Sequence, residues 1–110
     1  MIDSESALCR SRDFFASAAT QDLGFRQDAL RQLLHTIKRR ESDLLEALNA
    51  DLRKPKQEAW ASEIGVVLTD IAYNARKLRR WARPHRHPVS WGLRPARALV
   101  YPQPQGVVLI

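Results

Sequence analysis

At 110 residues, 45% of them hydrophobic, the chain has material for at most one small domain with a modest core. Its single cysteine, Cys9, excludes an internal disulfide framework and suits a reducing compartment, while the absence of a signal-peptide core and of any run near the ~20 apolar residues of a membrane span points to a cytoplasmic protein without a membrane span. The formal net charge of +6 is unevenly placed: residues 1–70 hold all twelve acids against ten Lys and Arg, whereas residues 71–110 hold eight Lys and Arg and no acid.

Taken in chain order, Ser4 is placed to cap a first helix of about fifteen residues, with Ala7, Leu8, Phe14 and Phe15 as its apolar members. The stretch SAATQDLG breaks that pattern. Phe25, Ala29, Leu30, Leu33, Leu34 and Ile37 then recur at helical spacing, with Arg26, Gln27, Arg31, Gln32, Lys38 and Arg39 on the opposite face. Leu44, Leu45, Leu48 and Leu52 resume the stripe after a break near Glu41–Asp43. Pro55 stops it, because the residue before a proline is pushed out of the helical region.

The clearest helix runs from about Lys56 to Trp81, with Trp60, Ile64, Val67, Leu68, Ile71, Ala75 and Leu78 on one face. Gly65 costs this helix ~1 kcal/mol relative to alanine, so its presence predicts close packing. Glu58, Glu63 and Asp70 lie toward the start and Arg76, Lys77, Arg79 and Arg80 crowd the end, as the helix dipole favours. RPHRHPVSWGLRP has three prolines and no period and reads as a loop. Ala98–Tyr101 and Val107–Ile110 read as extended pieces joined through Pro102 and Pro104.

Chemistry-bearing residues are few. Cys9 lies on a terminal helix with no oxyanion cradle nearby in sequence, and a buried inert thiol is the default for a lone cysteine. His85 and His87 flank Arg86 in a proline-bounded loop, without a second ligand pair at metal spacing; no metal is expected. Most acids have a basic neighbour three or four residues away, as Asp28 has Arg31 and Asp51 has Lys54, which marks a solvated helix face. Gly24, Gly65, Gly92 and Gly106 are too scattered for a phosphate loop. Arginines interleaved with Trp81, His85, His87 and Trp91 could stack bases and neutralise phosphates. A small basic nucleic-acid-binding module and a non-catalytic protein–protein adaptor therefore stand as alternatives, although neither explains the bare apolar run Val107–Ile110. An unbroken apolar run rich in β-branched residues is what a strand buried on both faces of a parallel sheet looks like.

Four stretches, FRQDALRQLLHTIKRRESDLLEALNADLRKPKQEAW, EIGVVLTDIAYNARKLRRWARP, ALVYPQPQG and GVVLI, together resemble the N-terminal region of class-3-like aldehyde dehydrogenases, the coniferyl and fatty aldehyde types among them. The resemblance covers Phe25–Ile110. It implies an α/β fold, of which residues 1–84 would be N-terminal helices of the Rossmann-type cofactor domain. Residues 85–105 would be a connector and strand of the oligomerisation domain, and residues 106–110 the first strand of the cofactor-binding sheet. It implies oxidation of an aldehyde, aromatic such as coniferyl or aliphatic, to the carboxylic acid, with NAD or NADP as cofactor and a homodimeric assembly without nucleic acid.

In that family a cysteine thiolate attacks the carbonyl, hydride transfer to NAD(P) follows, and a glutamate activates the hydrolytic water. An asparagine and a backbone N–H hold the oxyanion. No residue of this sequence matches those motifs, and Cys9 is not at the nucleophile's place, so no catalytic, cofactor-binding or metal residue is assigned. The chain is accordingly expected to be the front of a longer enzyme, inactive and marginally folded by itself. One departure from the family pattern is Gln105, where an apolar residue is usual.

Overall fold

The computed structural model describes residues 3–108. Contacts divide the chain into two compact units, residues 24–77 and a second unit joining residues 3–23 to residues 78–108. Five α-helices carry most of the described residues: α1 (Ser4–Ala16), α2 (Leu23–Arg39), α3 (Glu41–Leu52), α4 (Lys56–Ala59) and α5 (Gly65–Trp81). Strands β1 (His85–His87) and β2 (Ala98–Val100) follow.

Helix α1 starts as its sequence suggests, but Asp3 and not Ser4 is the cap. The Asp3 carboxylate accepts from the Glu5 N–H at 3.2 Å and from the Ser6 hydroxyl at 2.6 Å. A carboxylate reaches two donors where a serine hydroxyl reaches one, and it complements the positive end of the helix dipole. These bonds, that from Ser6 first, hold the Asp3 carboxyl below its ordinary value of 3.8. A depressed folded-state pKa contributes stability that is present above pH 3.8 and lost as pH falls through the folded value. Acidification should therefore fray the first turn of α1, seen as loss of Glu5 and Ser6 amide protection. Asp3→Asn, which keeps a capping oxygen without a titrating group, should flatten that dependence.

In the unit of residues 24–77, α2 turns inward a stripe that keeps Leu30, Leu34 and Ile37 of the expected face and adds Gln27. Gln27, Leu30, Leu34 and Ile37 are half-buried, whereas Phe25 and Leu33 stay exposed. Gln27, expected on the polar face, donates from Nε2 to the Ala75 carbonyl at 3.2 Å and ties α2 to α5. The break before α3 falls at Arg40, one residue ahead of the expected site, with φ −103° and ψ 22°.

Helix α3 ends on Arg53 in the left-handed conformation, φ 55°, whose N–H reaches the Asn49 carbonyl at 2.9 Å. The Asn49 side-chain amide then donates to the Lys54 carbonyl at 2.8 Å, and Pro55 opens α4. Lys54 Nζ donates to Glu63 Oε1, closing the turn onto the next helix. That hydrogen bond raises the Lys54 pKa above 10.5; the contribution is complete below that value and fades as pH climbs through the raised one.

The helix expected over Lys56–Trp81 is present, with one irregularity. Residues Trp60–Ile64 form a π-helical turn between α4 and α5, in which the Gly65 N–H reaches back five residues to the Trp60 carbonyl. The buried seam therefore steps Ala59, Ile64, Leu68, Ile71, Ala75: one step of five followed by ordinary steps of four and three. A single helical period puts Trp60 and Val67 on this seam. The wide turn instead leaves Trp60 45% exposed and Val67 46% exposed. Among the described residues Ala59, Ile64 and Ile71 are the buried apolar side chains.

In the second unit the stretch after Trp81 is not merely a loop. His85–His87 is a strand paired antiparallel with Ala98–Val100, placing His85 opposite Val100, Arg86 opposite Leu99 and His87 opposite Ala98. Composition hid it, because a strand of two histidines and an arginine between prolines carries no apolar alternation. The ten-residue connection holds a 3₁₀ turn at Trp91–Leu93 and a cis Arg94–Pro95 peptide. β2 stops one residue short of the expected Tyr101, before Pro102, which has no N–H for a ladder. Gly106 takes φ +117°, a conformation that a side chain would strain. Val107 and Val108 are in no ladder, and the remainder of the expected terminal strand, Leu109 and Ile110, lies outside the described residues.

Candidate functional site

An open groove of about 590 Å³ lies over the π-helical turn, lined by residues of the unit 24–77. Its geometry follows from the backbone. The wide turn pushes the Trp60 carbonyl and indole across the face of Gly65. A Cβ on Gly65 would stand 3.0 Å from the Trp60 carbonyl oxygen and 3.2 Å from ring atom Cζ3. The close packing that the glycine foretold is thus a contact between neighbours in sequence, created by the turn itself. Val66 and Tyr73 continue the apolar wall, and the Thr69 hydroxyl is turned back onto the Gly65 carbonyl at 2.8 Å. Lys77 lies over the Tyr73 ring with its ammonium 5.7 Å from the centroid.

The remaining candidates stand apart from one another in the sequence. Cys9 is a free thiol on α1 and is exposed, not buried as a lone structural cysteine by default would be. His85 and His87 are exposed on β1, and His87 Nδ1 lies 3.1 Å from the Pro88 carbonyl. Among the described residues no group of three or more His, Cys, Asp or Glu could hold a metal ion, and no helix is long and apolar enough to cross a membrane. The basic stretch is laid out over the end of α5 and the hairpin. Arg79 and Arg80 occupy the last helical turn, where the dipole accounts for them, and Trp91 stands 84% exposed.

Comparison with known proteins decides what this arrangement belongs to. The family model described as "Aldehyde dehydrogenase family" matches residues 2–110. The chain belongs to the aldehyde dehydrogenase family. Among curated relatives of this family member, the 4,4'-diaponeurosporen-aldehyde dehydrogenase of Staphylococcus aureus is 39% identical over 91% of the chain. The dimeric NADP-preferring aldehyde dehydrogenase of Canis lupus familiaris is 37% identical over 92%. Family 3 members from Arabidopsis thaliana and Macaca fascicularis match as well.

A solved structure described as the substrate-bound state of Staphylococcus aureus AldH superposes with a TM-score of 0.86 at 36% identity over 92% of the chain. The helices and the hairpin are therefore the N-terminal part of the aldehyde dehydrogenase fold. The chain spans 22% of the length of the S. aureus and canine relatives and of the solved neighbour.

Proposed function

We propose that this chain supplies the N-terminal helices and the first hairpin of an NAD(P)-dependent dehydrogenase that oxidises an aldehyde to its carboxylic acid. The observation that carries the reading is the continuous family match from residue 2 to residue 110, together with the fold shared with a solved aldehyde dehydrogenase. An aldehyde, aromatic such as coniferyl aldehyde or aliphatic, is the substrate class proposed; the S. aureus relative is named for 4,4'-diaponeurosporen-aldehyde.

The nicotinamide cofactor accepts the hydride when bound. Its phosphates are assigned to no residue of this chain, whose glycines at positions 24, 65, 92 and 106 are too scattered for a phosphate loop. NAD or NADP, the nucleophile, the base and the oxyanion donors are accordingly assigned to the part of the relatives' length that this chain does not span, and the chain itself contributes no catalytic residue.

The domain division proposed is helices to residue 84, an oligomerisation connector and strand over residues 85–105, and a cofactor-sheet strand over residues 106–110. The hairpin β1–β2 supports the middle part of it. A two-stranded ribbon is marginal alone, and an acid-free basic hairpin suits an assembly in which a second subunit covers it. A cytoplasmic homodimer is the state proposed.

Two experiments test this. Peptides of this sequence traced in their own cell should sit in a polypeptide several times heavier than 12.6 kDa that forms NAD(P)H when given an aldehyde. Grafting residues 25–108 in place of the matching segment of the S. aureus relative should preserve aldehyde oxidation to within about tenfold, a change of ~1.4 kcal/mol in the barrier. The 110-residue chain alone should form no NAD(P)H. Activity of that isolated chain, or a folded but inert graft, would overturn the proposal.

A further inference from the structure

We draw no further inference here: the strongest candidate, the open apolar groove over the π-helical turn between Trp60, Gly65, Val66 and Tyr73, is an unpartnered face, and nothing in the structure shows what covers it.

Discussion

Gly65→Ala is expected to destabilise the helix, reversing the sign that helix propensity assigns to it. In an ordinary exposed helix the change gains ~1 kcal/mol, because glycine loses more backbone freedom on folding and offers no side chain. Here the new methyl meets a backbone oxygen at 3.0 Å, and that oxygen belongs to the carbonyl receiving the Gly65 N–H. It cannot retreat without lengthening the bond that defines the π-helical turn. The indole at 3.2 Å can swing aside, but only by leaving the glycine face.

A net loss of about 1–2 kcal/mol follows, of the size usual for overpacking. In a domain of this size that lowers the thermal midpoint by roughly 4–8 °C per kcal/mol. Circular dichroism melts of the wild-type chain, Gly65→Ala, Trp60→Ala and the double variant apportion the effect. Truncating Trp60 should recover the ring part of the penalty and leave the carbonyl part. A raised midpoint in Gly65→Ala would mean that the turn relaxes to ordinary α-helix at little cost.

The second large effect belongs to the seam. Ile71→Ala should cost about 2–4 kcal/mol, the transfer free energy of the lost carbons plus the cavity they leave. Ile64→Ala should behave alike, since both side chains are buried below a tenth of their surface. Val66→Ala, one position from the glycine but 57% exposed, serves as the control and should stay within about 0.5 kcal/mol. Equal losses at positions 64, 66 and 71 in urea titrations would refute the seam assignment.

These residues also mark what could be read in advance. Four of the helices, their order and the stop at Pro55 follow from apolar spacing and proline chemistry alone. The family was legible too, because ALNADLRKP and YPQPQGVVLI are specific strings. Three things were not legible, each for a physical reason. Periodicity assumes one pitch, so a five-residue step inside a helix carried Trp60 inward on paper and outward in the molecule. Side-chain type predicted a polar face for Gln27, whereas the Ala75 carbonyl gives its amide a partner. The strand His85–His87 is specified by its pairing with Ala98–Val100 and not by its own residues. The groove belongs to the same class, since it exists only because the turn is wide.

The π-helical turn also gives the helix slack in length. Removing one residue from an α-helix rotates everything beyond it by about 100° and carries the buried seam out of the core. Between Ala59 and Ile64 the seam advances by five residues. Losing one of the four between them would leave an ordinary step of four, with Ile64, Leu68 and Ile71 still facing inward. Deletion of Ala61 should therefore be tolerated with helix content and cooperative melting retained, whereas deletion of Thr69, beyond the turn, should abolish both. Where relatives of this chain differ in length by a single residue along this helix, the difference has a natural place to sit.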